Sequence, residues 1–101
     1  MTIHTTKYVR KSLYVDAVQI TEDNFSELAR WCQGEIRSNN GDELVSNLNG
    51  MNPHAHHIRV RVHNPKNMRQ TKGFVGDWIL YTDRGYKVYS PKAFKAAFER
   101  A

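Results

Sequence analysis

Cationic side chains at alternate positions of residues 57–63 are the groups in this chain best suited to chemistry. Their alternation with apolar residues is typical of a β-strand that has one buried and one exposed face. We predict that the apolar members face the core, namely Ile58, Val60 and Val62. The opposite face then carries a cationic stripe, which consists of His57, Arg59, Arg61 and His63. Further basic residues extend the cationic stripe along the chain, namely Lys66, Arg69 and Lys72.

The arginines of the cationic stripe give it a specific chemistry. A guanidinium group binds phosphate or carboxylate through two parallel hydrogen bonds, which a lysine does less well. We therefore predict that an anionic, nucleotide-like ligand or an acidic partner binds the side chains of His57, Arg59, Arg61, His63 and Arg69. The plainer alternative is a solvated sheet face that binds nothing.

The charge balance points to the same class of partner. The chain of 101 residues carries a formal net charge of +5. An excess of lysine and arginine favours nucleic acid, nucleotides or an acidic protein surface. The charges are scattered rather than concentrated in one run, so nucleic-acid binding is the alternative interpretation rather than the first.

Metal binding and catalysis have weaker support. His54, His56 and His57 are close in sequence, but zinc sites combine Cys or His pairs from two separated positions. The lone Cys32 falls on the apolar stripe of a predicted helix, where a thiol behaves as a small hydrophobe. Gly-x-Ser-x-Gly elements and phosphate-binding loops do not occur. We expect no metal, no cofactor and no enzymatic activity.

Length and composition set the broad class. We predict a single domain over residues 1–101, with a flexible arm at 1–7 and a long polar loop at 39–56. The apolar runs are far shorter than the ~20 residues that span a bilayer, and no secretory signal is apparent. A single cysteine fits a reducing cytoplasm.

The first half of the chain predicts a strand followed by a helix. Residues 13–20 carry apolar groups on both faces, which indicates an interior strand covered on both sides. The apolar stripe of the helix consists of Phe25, Leu28, Ala29 and Cys32, and Thr21 or Asn24 can cap its start. Gly34 is placed to end the helix in a left-handed conformation. Short strands are predicted at 35–38 and 43–45.

The last third predicts a strand, a turn, a second strand and a helix. Gly76 and Asp77 form a tight bend before the strand that starts at Trp78, and Gly85 takes the left-handed position of a hairpin connection. Ser90 and Pro91 suit the start of a helix. Phe94 and Phe98 lie on its buried face. We predict an α+β fold, with a mainly antiparallel sheet of four to six strands and two helices packed on it.

Several short motifs occur together along this chain. They are Tyr8-x-Arg10-Lys11, Val15-x-Ala17-Val18-Gln19-Ile20-Thr21, Trp31-Cys32-x-Gly34, Gly76-Asp77-Trp78 and Gly85-x-x-Val88-Tyr89, followed by Phe94 and Phe98-Glu99. The ensemble resembles a broad group of small proteins of tailed phages, mycobacteriophages in particular, over most of the chain except about residues 38–56. The resemblance implies a phage origin and expression in the cytoplasm of an infected bacterium. The resemblance does not supply an activity, and no catalytic residue is carried over from it.

Together these observations predict a noncatalytic phage accessory protein. It would bind a host bacterial protein or a nucleotide-like anionic ligand through the cationic stripe. One alternative is a nucleic-acid-binding protein that uses the same basic strand face, and another is a minor virion component. We expect no membrane association. We also expect a possible homodimer, because a domain with an alternating strand and a long loop can pair through a sheet edge or through a helix face.

Overall fold

The protein has an α+β fold, as the sequence predicts. A computed structural model describes residues 3–10, 13–60, 70–82 and 85–100. Within these ranges there are two α-helices, α1 (Phe25–Trp31) and α2 (Pro91–Ala97), and a short 3-10 turn at Pro53–Ala55. The described strands are β1 (Thr6–Arg10), β2 (Leu13–Gln19), β3 (Glu35–Ser38), β4 (His56–Arg59), β5 (Lys72–Gly73), β6 (Trp78–Thr82), β7 (Gly85–Tyr89) and β8 (Glu99–Arg100).

The described strands form two antiparallel sheets rather than one. The five-stranded sheet has the order β7-β6-β2-β1-β8, and the three-stranded sheet has the order β3-β4-β5. In the larger sheet β2 pairs with β1 on one side and with β6 on the other. The predicted interior strand over residues 13–20 is therefore confirmed, and it ends at Gln19.

Apolar side chains cover the five-stranded sheet on both faces. Val15 and Ala17 point to one face, where they pack with Leu80, with Phe94 of α2 and with Phe98, which directly follows α2. The opposite face of the same strands packs against α1 and the three-stranded sheet. That larger core contains Val18, Ile20, Phe25, Leu28, Ala29, Cys32, Ile36, Ile58, Val60, Ile79 and Val88. The two-sided apolar pattern of residues 13–20 reflects this arrangement.

Helix α2 begins as its sequence predicts. The Ser90 side chain accepts a hydrogen bond from the Ala93 backbone N–H, and Pro91 occupies the first turn. Phe94 and Phe98 are buried, and the Phe94 ring stacks on Trp78 with centroids 4.0 Å apart. Trp78 itself is half-buried, so it closes the side of this core rather than filling its centre.

Helix α1 differs from its prediction at both ends. Thr21 and Asn24 form reciprocal backbone-to-side-chain hydrogen bonds before the helix, but the Asn24 side chain makes no capping bond to it. At the other end Gln33, not Gly34, takes the left-handed conformation, with φ of 56°. Gly34 is required for space, because a Cβ there would lie 2.8 Å from the Arg59 carbonyl oxygen. The glycine therefore brings the end of α1 against β4.

Two predicted left-handed glycines are confirmed by their backbone angles, whereas Asp83 and Arg84 of the predicted hairpin connection lie outside the described residues. Gly76 has φ of 101° and Gly85 has φ of 99°, both in the region that favours glycine. The Asp77 carboxylate accepts a hydrogen bond from the Phe74 backbone N–H, and the Asp77 N–H donates to the Phe74 carbonyl. This bend directs the chain into β6.

β-Structure occurs within both predicted irregular segments: it is unexpected in the arm at 1–7, whereas a short strand is predicted at 43–45 of the polar loop. Strand β1 begins at Thr6, so Thr6 and Lys7 belong to the sheet rather than to an arm. Within the polar loop at 39–56, Leu44 forms a β-bridge with Arg37, and the Val45 N–H donates to the Ile36 carbonyl. Residues 43–45 thus extend the edge of the three-stranded sheet beside β3.

Neither of the helices in the described ranges has the length and apolar character that a bilayer crossing requires.

Candidate functional site

The outer face of the three-stranded sheet carries most of its polar side chains. Strand β4 pairs with β3, which aligns Arg59 with Glu35 and His57 with Arg37. It also pairs with β5, which aligns Arg59 with Lys72. Because Ile36, Ile58 and Gly73 are buried on the inner face, their neighbours along each strand point outward. The outer face therefore brings together Glu35, Arg37, His57, Arg59 and Lys72.

His57 corrects the prediction that this face is open along its whole length. The strand pattern predicts an exposed ring, but His57 is only 1% exposed. The loop after β3 folds across it, and the half-exposed Phe74 ring lies 5.6 Å from it between centroids. A contact from a distant segment thus overrides the strand alternation, so His57 cannot offer its ring to a ligand from solvent.

Both ring nitrogens of His57 have hydrogen-bond partners on that loop. Nδ1 lies 2.8 Å from the Asn39 side-chain oxygen, and Nε2 lies 3.0 Å from Oδ1 of Asp42. The Asn39 amide nitrogen donates to the His54 carbonyl at 3.2 Å, which orients its oxygen toward the imidazole. The buried ring therefore fastens the loop to β4.

The loop reaches over the sheet because it is the turn of a hairpin, which we call the Asn39–Asp42 turn. The Ser38 N–H donates to the Glu43 carbonyl, and the Asp42 N–H donates to the Ser38 carbonyl. Gly41 has φ of 92° and Asp42 has φ of 57°, so two successive residues are left-handed. This conformation costs a non-glycine residue about 1–2 kcal/mol. The contacts of the Asp42 carboxylate offset that cost.

The Asp42 carboxylate is shared between a buried and an exposed partner. Its Oδ1 accepts from His57, and its Oδ2 lies 3.4 Å from a terminal nitrogen of Arg59. The contact with Arg59 is long for a charge-assisted hydrogen bond. The Arg59 side chain stays 49% exposed, so about half of it is open to solvent.

Arg59 and Lys72 form the exposed cationic pair of this face. They are direct cross-strand partners, and directly opposite side chains have Cβ atoms about 4.5–5.5 Å apart. Lys72 is exposed, and it makes no ion pair with any residue that the structure describes. Like charges directly opposite each other are unfavourable unless an anion lies between them. An oxyanion can therefore bind between the two side chains, with one contact from each strand.

Arg37 serves the Asn39–Asp42 turn rather than the open face. One terminal nitrogen donates to the Asp42 carbonyl at 2.8 Å, and the other lies 3.4 Å from a Glu35 carboxylate oxygen. Its side chain is 23% exposed, and its Nε is buried without a hydrogen-bond partner among the residues that the structure describes. Arg37 thus stabilises the Asn39–Asp42 turn through the Asp42 carbonyl, and it neutralises the charge of Glu35.

Burial sets the protonation of His57 and of Cys32. Burial lowers the pKa of His57 below its ordinary value, while the hydrogen bond from its ring to Asp42 opposes that shift. The positive charges of Lys72 and Arg37 lower the pKa further. At Cys32, burial raises the pKa of the thiol to about 11. The thiol is therefore protonated and unreactive at neutral pH, as its position on the apolar stripe predicts.

The neighbouring histidines do not converge on a metal position. The His54 ring contacts the Glu22 carboxylate, the His56 ring contacts the Asn52 carbonyl, and His57 is bound to the Asn39–Asp42 turn. No group of three potential metal ligands occurs among residues 3–10, 13–60, 70–82 and 85–100.

The predicted site is therefore only partly described. Arg59 is exposed as expected and His57 is buried, whereas Arg61, His63 and Arg69 lie outside the described residues, as do Val62 and Lys66. Sequence reasoning missed Asp42, Asn39 and Arg37. The signal for Asp42 was the run Asn39-Asn40-Gly41-Asp42, which predicts a tight turn but not the strand it covers.

A comparison with models of protein families found no match, and comparisons with curated proteins and with solved structures found none either.

Proposed function

We propose that this protein is a noncatalytic binding protein that captures an anionic ligand, with phosphate as the recognised group. The cross-strand pair of Arg59 and Lys72 carries the proposal. The two exposed cations lie on adjacent strands. Among the described residues their one ion pair is the long contact from Arg59 to Asp42, so part of their positive charge is not neutralised. A phosphate has several acceptor oxygens, so it can bridge a guanidinium fork and an ammonium group.

A small ligand suits this face better than a long polymer. Glu35 and Asp42 lie beside the pair of cations and limit the extent of positive surface on this sheet. A nucleotide-like molecule places its charge at one point, whereas a nucleic acid requires contacts along many phosphates. An acidic surface of a host protein would present carboxylates to the same two side chains.

The proposed setting is the cytoplasm of a bacterium infected by a tailed phage. This rests on the motif ensemble that resembles small phage proteins, including Gly76-Asp77-Trp78 and Trp31-Cys32-x-Gly34. In that setting a noncatalytic binder acts by sequestering a ligand or masking a host protein. A pull-down from host lysate, with mass spectrometry of bound proteins and small molecules, identifies the partner.

Calorimetric titration with ATP and with an oligothymidylate tests the binding function. We expect ATP to bind and the double variant Arg59→Ala, Lys72→Ala to weaken its binding by at least about tenfold, or ~1.4 kcal/mol. The matched control is Lys92→Ala, Lys95→Ala, which removes the same charge from the exposed side of α2. Equal losses in both double variants, or no binding of ATP, would contradict the proposal.

The oligothymidylate distinguishes the nucleic-acid alternative. If it binds more tightly than ATP, with an affinity that falls steeply as salt rises, the protein is a nucleic-acid binder. If the oligothymidylate instead binds weakly, and its binding depends little on Arg59 and Lys72, the result supports the small-ligand proposal.

We also propose that the protein forms a homodimer. Residues 43–45 lie at an edge of the three-stranded sheet, and Leu44 is 58% exposed there. An exposed apolar edge is a template for pairing with a second chain. Light scattering at tens of micromolar protein should give twice the monomer mass, and Leu44→Lys should return it to the monomer mass. A wild-type protein that stays monomeric would reject the dimer.

A further inference from the structure

The Asp42 carboxylate has two possible cationic partners, and one of them can lose its charge. Asp42 contacts Arg59 through Oδ2 and His57 through Oδ1. Arg59 keeps its charge at any pH of interest, whereas histidine titrates within the physiological range. When the His57 ring is protonated, it competes with Arg59 for the Asp42 carboxylate. The strength of the contact between Arg59 and Asp42 therefore depends on the protonation state of His57.

The hydrogen bonds around His57 accommodate each protonation state differently. With both nitrogens protonated, the ring donates to the Asn39 oxygen and to Asp42 at once, as the distances of 2.8 and 3.0 Å allow. A neutral ring has one N–H and one lone pair, so one of these contacts loses its donor. It is restored when the Asn39 amide turns and donates to Nδ1, but the Asn39 bond to the His54 carbonyl is then lost.

The charges that face His57 come from each neighbouring element. Asp42 approaches from the Asn39–Asp42 turn, Arg37 from β3 and Lys72 from β5, while Arg59 is next but one along β4. Asp42 favours the charged ring, whereas burial and the positive charges of Lys72 and Arg37 disfavour it. Near neutral pH these effects leave the ring neutral, so Arg59 is then the charged partner of the Asp42 carboxylate.

We propose that His57 is a proton-linked switch for the anion site at Arg59 and Lys72, an inference that rests on the binding function proposed above. When His57 takes a proton, it neutralises Asp42 and the local charge rises by one. Arg59 is then released from its contact with Asp42 and becomes available to an incoming oxyanion. Anion affinity rises as the pH falls through the titration of His57.

Thermodynamic linkage makes the switch reciprocal. If protonation strengthens anion binding, then the bound anion must raise the pKa of His57 by the same coupling free energy. Couplings of this kind typically change affinity by about fivefold or more. Both directions are measurable on one sample.

Inorganic sulfate is the probe, because its charge is constant over the range in which histidine titrates. Sulfate affinity and the 15N shifts of the histidine rings are followed by NMR between about pH 5 and pH 8. We expect affinity to rise by a factor on the order of five toward low pH, and sulfate to raise the pKa of His57. His54→Gln, which removes an exposed histidine on the neighbouring turn, should leave the pH effect intact.

Two variants test the assigned atoms. His57→Gln should abolish the pH effect, because glutamine can donate to Asp42 but cannot take up a proton. Asp42→Asn should raise sulfate affinity near neutral pH toward the acidic wild-type level and flatten its pH dependence. It keeps the proposal testable if His57→Gln does not fold.

The outcomes separate this inference from the binding function. If sulfate binding requires Arg59 and Lys72 but the sulfate affinity does not change while His57 titrates, the switch is overturned. The proposed binding function would remain. Sulfate binding that is unaffected in Arg59→Ala, Lys72→Ala, or no sulfate binding at all, would overturn both.

Discussion

The carboxylate of Asp42 lies 3.0 Å from Nε2 of the buried His57 ring, although the two residues are 15 positions apart in the chain. The contact joins the turn of a hairpin to the strand that the turn covers. It satisfies a buried polar atom, and it places a negative charge beside Arg59, the exposed cation of the same strand. The stability of this sheet and the charge around Arg59 therefore depend on the same side chain.

Removal of the Asp42 side chain should destabilise the fold. In Asp42→Ala the buried Nε2 of His57 loses its partner, and an unsatisfied buried polar group costs about 1–3 kcal/mol. The free energy of unfolding, measured in urea, should fall by that amount. Asp23→Ala is the control, because Asp23 is exposed before α1, and it should change the free energy by less than about 0.5 kcal/mol. Equal effects in the two variants would contradict the role of Asp42.

The stability of the protein should fall on acidification through His57. Burial lowers the pKa of this ring in the folded state, so the unfolded chain binds the proton more readily. The stabilisation is therefore full above the unfolded-state pKa of about 6.5 and is lost as the pH falls toward the folded-state pKa. Thermal melts of wild type and His57→Gln should diverge in slope below about pH 6.5. Parallel slopes would show that other groups cause the dependence.

The ring of Phe98 should carry a large share of the stability of the smaller core. It is 9% exposed and contacts Phe94 and Tyr89 at ring-centroid distances of 5.2 and 5.3 Å. Phe98→Ala should lower the free energy of unfolding by about 3–5 kcal/mol because it leaves a cavity beneath α2. Tyr81→Ala, at a 47% exposed position of the same sheet, should cost much less. A near-zero change for Phe98→Ala would reject the docking of α2 on the sheet.

The thiol of Cys32 should be protected from alkylation in the native protein. It is 1% exposed, and burial raises its pKa to about 11. Reaction with iodoacetamide near pH 8 should therefore be slow for the folded protein and fast in urea, as intact mass spectrometry can follow. Fast labelling without denaturant would mean that α1 opens readily.

The sequence by itself determined the elements whose signals are local. The apolar residues on both faces of 13–20 predicted an interior strand, because successive side chains of a strand point to opposite sides. Ser90 and Pro91 predicted the start of α2, and Gly76 and Gly85 predicted turns, because caps and left-handed positions restrict residue type directly. Each of these predictions depends on residues that are neighbours in the chain.

Only the tertiary structure decided the character of the candidate site. Alternation alone made His57 an exposed member of the cationic stripe, but the Asn39–Asp42 turn folds over it and buries the ring. The same turn brings Asp42 to Arg59, so the stripe is partly neutralised where it is described. Periodicity gives the face on which a side chain lies, but it does not show which distant segment covers that face, since such contacts depend on how the chain closes its loops in three dimensions.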